Sequence, residues 1–290
     1  MNGILLVNKD AGWTSSDVVC KLKGILHQRR VGHSGTLDPM ATGLLAVFAG
    51  RATRAVEFAE AGEKRYIAAL RLGMTTDTQD VTGTVLSQRA AADIDDAALE
   101  AVLARFRGEQ LQLPPMYSAV KVNGQRLYKL ARRGEEAERR PRPITVSELR
   151  LAGRDGGDYI LDIRCSKGTY IRTLCSDIGE ALGCGGCMSA LKRVSVGGFE
   201  LEDAHSIDEI QRYADEGRAG ELLLPVDTLF RDYEACTVSP AQEKCLRSGA
   251  AFRTACKDGS YRVYSESGEF LMLGLAEGGV MKTVKSFFQV

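Results

Sequence analysis

Apolar and polar positions change period several times along this chain, and the changes mark its elements. After Ser15-Ser16-Asp17, residues Val18, Val19, Leu22, Ile25 and Leu26 recur at helical spacing and predict a helix whose far side and exit are basic (Lys21, Lys23, Arg29, Arg30). Tyr66, Ala68, Leu70 and Leu72 alternate, as in a half-buried strand, and residues 76–83 (TDTQDVTG) read as a polar turn. Residues 93–106 predict an amphipathic helix with Leu99, Val102, Leu103 and Phe106 as its stripe and Gly108 as its stop. Pro114-Pro115 ends any regular element. Residues 159–165 alternate again, with Leu161 and Ile163 on one face. Ile171, Leu174, Cys175, Ile178 and Leu182 then give a helix closed by Gly183. Beyond Pro225 the pattern breaks into short β-like runs at 261–264, 270–275 and 284–288. Strands and helices mix without a βαβ rhythm. The expected architecture is an α+β domain over residues 1–230 and a small β-rich domain over 231–290.

One segment stands apart from these periodicities. Gly32 to Gly43 reads GHSGTLDPMATG, with glycines at 32, 35 and 43 and a single carboxylate, Asp38, followed by Pro39. Glycine permits sharp turns and close approach of the backbone to a ligand. Pro39 disfavours helical backbone at Asp38. The apolar run 44–48 would anchor the loop in a core. One acid is thereby held in a defined pose, as a catalytic carboxylate or as a turn cap. A phosphate cradle is disfavoured because the P-loop GK[ST] is missing and the acid would repel phosphate.

Composition narrows the class. The chain has 290 residues and a formal net charge of zero. No run approaches the roughly 20 apolar residues of a membrane span, and residues 4–7 are too short for a signal-peptide core. A soluble, cytoplasmic protein is expected. The neutral total hides an uneven distribution. Residues 121–142 carry eight bases against three acids, and residues 200–234 carry eleven acids against three bases. A basic face on a neutral protein is a local field that attracts phosphate. The eight cysteines are scattered. Cys184 and Cys187 have metal spacing but lack two further ligands, so most of the eight read as reduced core residues. No G-x-S-x-G elbow and no dinucleotide fingerprint is present.

Three further residues invite chemistry. Arg172 falls in the first turn of its predicted helix, where a cation opposes the helix dipole by about 0.3–1 kcal/mol, so an anionic partner such as Asp38 or a phosphate would resolve the conflict. Tyr66 follows Lys64-Arg65, a setting suited to stacking on a base with phosphates nearby. His33 precedes Asp38 by five positions and could act as a base, a ligand or a wedge into nucleic acid.

The segments NKDAGWTSSDVV, GHSGTLDPMATG, KRYIAALRLG, TDTQDVTG, PPMYSAVKVNGQRLYKLAR, CSKGTYIRTL and LKRVSVGGF occur in the order found in bacterial tRNA pseudouridine-55 synthases of the TruB type. The resemblance covers roughly residues 3–230. It implies a pseudouridine-synthase catalytic domain with a mixed, mainly antiparallel sheet and flanking helices, and a PUA-like RNA-binding domain at the C-terminus. By position it makes Asp38 the catalytic aspartate, Arg172 its partner, and Tyr66 the ring stacked on the target base. His33 matches the residue that enters the T-loop, Leu191 the pocket wall, and segment 121–143 a basic thumb. Lys64, Arg132 and Tyr170 are counted among the RNA-binding residues. The chain departs from the family at Asp10, where a proline is usual, and at Cys187, where a histidine is frequent. The implied reaction breaks N1–C1′ of a uridine in the tRNA T-arm and joins C5 to C1′. It needs no cofactor or metal. The chain is expected to act as a monomer without an obligatory protein partner. The alternatives are a non-catalytic RNA chaperone, an RNA-guided synthase, and a glycosidase. A glycosidase would need a second acid, for which Asp80 is the weaker candidate.

Overall fold

The computed structural model describes residues 1–91, 94–122 and 124–288. Its first thirteen strands are β1 (Gly3–Lys9), β2 (Val31–His33), β3 (Thr42–Ala49), β4 (Lys64–Leu72), β5 (Met74–Thr76), β6 (Val85–Gln88), β7 (Gly108–Gln112), β8 (Lys121–Val122), β9 (Gln125–Arg126), β10 (Arg142–Asp155), β11 (Asp158–Cys165), β12 (Gly186–Val196) and β13 (Phe199–Glu200). Nine of them form one sheet in the order β1-β3-β12-β4-β11-β10-β7, with β2 on β3 and β13 on β12. The β3–β12 pair is parallel and the other pairs are antiparallel. Helices α1 (Ser15–Ile25), α2 (Val56–Ala61), α3 (Asp96–Leu103), α4 (Leu127–Ala131), α5 (Ile171–Ala181) and α6 (Ile207–Asp215) accompany this part of the chain. The class is the expected mixed α and β fold built on a mainly antiparallel sheet.

Two apolar layers sandwich the sheet's β1–β3 end. Leu5, Val7, Leu45 and Val47 meet Val18, Leu22 and Ile25 of α1, whereas Ile4, Leu6, Leu44, Ala46 and Phe48 point to the other side. Strand β3 is therefore apolar on both faces, which explains its unbroken apolar run. Nearer the middle of the sheet, Ala68, Leu70, Leu161 and Ile163 pack against Leu174, Cys175 and Ile178 of α5. This third core fixes α5, and hence Arg172, over strands β4 and β11.

Asp162, on β11, ties three strands together. Arg65 on β4 donates to it from Nε and Nη2 at 2.9 and 2.8 Å, and Arg150 on β10 donates from Nη2 at 2.6 Å. The Arg65 hydrogen bonds, against the opposing effect of burial and with help from Arg150, hold the Asp162 carboxyl down at about 2. An unfolded aspartate titrates near 3.9, so this stabilisation is complete above about pH 4 and lost as pH falls towards 2. Asp162→Asn is accordingly expected to lower the urea midpoint at neutral pH, with the gap to wild type closing as the pH falls through that window. Equal midpoints at neutral pH would reject the clamp.

Some boundaries differ from the sequence expectation. The N-cap of α1 is Thr14, one residue earlier than Ser15, because Thr14 and Asp17 form a reciprocal capping box. Helix α3 starts at Asp96 behind the Asp95 cap and tightens into a 3₁₀ turn over Ala104–Phe106; Asp93, the expected start, lies outside the described residues. Gly108 (φ +90°) opens strand β7 instead of closing the helix, since Arg107 is already extended.

The C-terminal strands are β14 (Glu234–Thr237), β15 (Phe252–Arg253), β16 (Gly259–Tyr264), β17 (Phe270–Glu277) and β18 (Val280–Ser286), with helix α7 (Pro240–Arg247). They form a separate sheet ordered β14-β16-β17-β18-β15. Strand β18 begins at 280 rather than at the expected 284. The Gly278-Gly279 turn, both residues at positive φ, pairs Glu277 directly with Val280. Phe270 and Phe287 stack at 5.2 Å and reach Phe230, while Lys285 pairs with Glu57 at 2.6 Å. An apolar and ionic seam thus joins the second sheet to the α2 side of the first. Among the described residues, no helix is long and apolar enough to cross a membrane.

Candidate active site

The Asp38 loop is held from several sides. Strand β2 leads into it and β3 leads out. Ser15 Oγ at the start of α1 accepts the Leu37 amide at 2.8 Å. Leu37 itself is buried. The Asp38 carbonyl accepts the Ala41 amide at 3.0 Å, and the Pro39 carbonyl accepts the Gly12 amide at 2.8 Å. Gly43 (φ +98°) lies so close to β12 that a Cβ there would stand 2.3 Å from the Arg193 carbonyl oxygen. No other residue fits at that crossing.

Arg172 reaches the loop from the first turn of α5. Its Nε lies 2.9 Å from Asp38 Oδ2, and its Nη2 donates to Asp38 Oδ1 at 3.2 Å. Nη1 donates to the Thr78 carbonyl and Nη2 to the Tyr117 carbonyl, each at 3.0 Å. The guanidinium side chain is 7% exposed and the Asp38 side chain 33% exposed. An almost enclosed cation thus holds a carboxylate that remains open to a ligand. These acceptors also resolve the clash with the helix dipole that its position in the sequence foreshadowed.

Asp80 approaches Arg172 Nε at 3.8 Å through Oδ2. Its Oδ1 accepts from Thr78 Oγ1, Thr82 Oγ1 and the Thr82 amide. With a side chain only 6% exposed, Asp80 is committed to the 76–82 turn and the guanidinium. It does not offer the open second acid that a glycosidase would use. The turn that reads as merely polar in the sequence therefore packs onto the site.

Tyr66, on β4, is 7% exposed and shares one core cluster with Leu37, Ala41 and Leu191, the first two flanking Asp38. Burial pushes its phenol up, with the Arg193 guanidinium pulling the other way. Leu191 lies on β12 opposite Ala68. His33 sits on β2; burial, then the Arg193 charge, hold its imidazole below the ordinary histidine value. Its Nδ1 is buried and has no hydrogen-bond partner among the described residues. Tyr170 caps α5, its amide donating to Gln112 Oε1 at 2.8 Å while Gln112 Nε2 donates back to the Tyr170 carbonyl at 3.0 Å.

Lys64 differs from the expectation of an ammonium facing substrate. It is buried, and its Nζ donates to the Glu60 and Gly62 carbonyls at 2.8 and 2.7 Å. Burial, reinforced by Arg193, lowers it to about 8. Arg132 is exposed, stacked over Tyr128 at 5.6 Å on α4. Lys121, Arg126, Lys129, Arg133, Arg140 and Arg142 are exposed around the same β8–β9 hairpin and α4. This basic segment continues directly from Tyr117, whose carbonyl touches Arg172.

Two buried cations escaped the sequence reading. Arg193 donates to the Leu44 carbonyl at 2.7 Å and the Gly35 carbonyl at 3.2 Å, bracing both ends of the Asp38 loop from β12. Lys9 donates to the Trp13, Asp10 and Pro39 carbonyls at 2.7, 2.9 and 3.4 Å. Cys184 and Cys187 are buried free thiols.

The fold, taken with the family to which the chain's sequence matches, defines a pseudouridine synthase. A solved H/ACA ribonucleoprotein bound to a substrate RNA containing 2′-deoxyuridine includes a chain of the same fold (TM-score 0.74, 23% identity, 99% of this chain and 85% of that one). A Cbf5–Nop10–Gar1 complex holds another (TM-score 0.75, 25% identity, 99% and 85%). Residues 23–171 match the family model of the TruB family pseudouridylate synthase N-terminal domain, and residues 172–231 that of the tRNA pseudouridylate synthase B C-terminal domain. A Clostridium kluyveri protein named tRNA pseudouridine synthase B is 41% identical over 293 aligned positions, covering 99% of this chain and 100% of that protein. The protein of that name from Francisella philomiragia subsp. philomiragia is 39% identical, covering 100% and 96%. The chain belongs to the TruB family of pseudouridylate synthases. The family's named C-terminal domain ends at 231, before the five-stranded sheet begins.

Proposed function

We propose that this chain isomerises the uridine at position 55 in the T-loop of tRNA to pseudouridine, acting as a monomer on the T-arm alone and without a cofactor. The observation that carries the reading is the paired contact of Arg172 with Asp38, in which the cation is enclosed and the carboxylate accessible. Residues 1–230 are the catalytic domain, and residues 231–290 a PUA-like domain that binds RNA. The target base leaves the folded T-loop at a cost of a few kcal/mol for unstacking. His33 offsets that cost by taking the space of the extruded bases, and the exposed bases of segment 121–143 do so by contacting phosphates. Tyr66 and Leu191 then grip the pyrimidine. Asp38 attacks C1′, adds to C6 or removes the C2′ proton, and each route requires the same fixed carboxylate. Arg172 aims it. A folding-chaperone action on tRNA accompanies turnover through the same contacts.

Pseudouridine mapping of unmodified tRNA and of an isolated T-arm hairpin after incubation with the purified chain tests this proposal. A single new pseudouridine in the T-loop of both substrates is expected; an unmodified hairpin would reject stand-alone action. Neutralising Arg132 and Arg133 together is expected to weaken tRNA binding and flatten its dependence on salt, by about one unit of log–log slope for each phosphate no longer neutralised. Filter binding across a salt series measures this, and an unchanged slope would remove both residues from the interface.

A further inference from the structure

The five-stranded sheet contains a feature to which the proposed reaction assigns no role. Cys236 lies on β14, and Cys256 lies in the loop between β15 and β16. Their sulfurs are 3.1 Å apart, both residues are free thiols, and both are half-buried. A disulfide has a sulfur–sulfur distance of about 2 Å, so the two sulfurs are about one ångström from bonding distance. The other six cysteines are Cys20 and Cys245, which are exposed, and Cys165, Cys175, Cys184 and Cys187, which are buried.

The surroundings hold the pair in register. The Cys256 amide donates to Thr254 Oγ1 at 3.2 Å, and Cys236 faces Val263 across the β14–β16 ladder. Both pack against the cluster of Val238, Leu246, Tyr261 and Met281 that forms this sheet's core. The two cysteines are twenty positions apart, and the intervening chain includes α7 and β15. Strand β14 is at an edge of the sheet and is held only by β16 among the described residues. A covalent link from β14 to the 254–258 loop would therefore secure an edge strand.

We propose that Cys236 and Cys256 are a thiol modification site that a low-molecular-weight disulfide, such as oxidised glutathione, converts into a reversible intramolecular disulfide stabilising the C-terminal sheet. The Cys256 thiolate attacks one sulfur of the oxidant, breaking its S–S bond and releasing one thiolate. The Cys236 sulfur, having lost its proton, then displaces the second small thiolate from the mixed disulfide. One S–S bond is broken and one is formed, two electrons pass to the oxidant, and the two protons end on the released thiols. Burial, then the neighbouring Cys256 sulfur, push the Cys236 thiol up, which makes it the poorer first nucleophile.

Full-length protein is incubated with oxidised glutathione, alkylated and digested without reductant. The expected product is a peptide pair joined through 236 and 256 that a reductant separates. The thermal midpoint is expected to rise by several degrees, because the link closes a loop of the unfolded chain. Cys256→Ser and, separately, Cys236→Ala should abolish both effects. Recovery of 236 and 256 as separate alkylated or glutathionylated peptides overturns the proposal. So does a link from either residue to Cys245, or an unchanged midpoint in the cross-linked protein. None of these readouts depends on RNA turnover, so they stand or fall apart from the proposed reaction.

Discussion

Asp38→Asn is expected to remove turnover while leaving tRNA affinity within a few fold of wild type. Asparagine has nearly the same volume and keeps an oxygen towards Arg172, so the loop contacts of Ser15, Gly12 and Ala41, which involve backbone atoms at 37–41, survive. It lacks the negative charge that any of the three routes at C1′, C6 or C2′ requires. A loss of at least about a thousandfold corresponds to about 4 kcal/mol of transition-state stabilisation. In the proposed reading, binding depends instead on phosphate contacts and base stacking spread over the basic segment, His33 and Tyr66, so the dissociation constant should move little. Release of tritium from tRNA carrying 5-tritiated uridine reports the chemical step, and filter binding reports affinity. Turnover within tenfold of wild type would transfer the chemistry to another group. Loss of binding in step with turnover would instead make Asp38 a determinant of RNA affinity.

How much of this site is legible in the sequence depends on the kind of signal each residue leaves. Strands β4 and β11 and helix α5 show in the periodicity because their apolar faces meet one core, Ala68 and Leu161 against Leu174 and Ile178. The Asp38 loop shows because glycine and proline mark unusual backbone directly. Arg193 and Lys9 leave no such mark. A cation among apolar residues ordinarily signals a solvent-facing position, but these two are buried because backbone carbonyls from the Asp38 loop and its neighbours surround them. Asp80 reads only as a turn or positioning residue, since its burial depends on α5 delivering Arg172 from a distant part of the chain. The order of the sheet is equally opaque. Strand β12 enters between β3 and β4, so the close crossing at Gly43 depends on a partner about 150 residues distant. Local pattern can identify a strand, but its neighbours are chosen by long-range packing.

Arg172→Ala is expected to cost turnover at least about a hundredfold, about 2.7 kcal/mol, again with RNA affinity within a few fold. The guanidinium is not simply a counter-ion. It donates to Asp38 and to the carbonyls of Thr78 and Tyr117 at 3.0–3.2 Å, and it lies 3.8 Å from Asp80. Alanine leaves two carbonyls short of a donor and Asp80 buried beside a void, which should also lower the urea midpoint. Arg172→Lys separates charge from geometry. A lysine restores the positive charge, but one ammonium cannot reproduce the planar fork that meets the 38, 78 and 117 segments together. Turnover by the lysine variant should therefore remain near the alanine level even where its urea midpoint recovers. Near-native turnover by Arg172→Lys would mean that a positive charge beside Asp38 suffices. In that case the joining of the 76–82 turn to the start of the basic segment would be a matter of folding rather than of aiming the carboxylate.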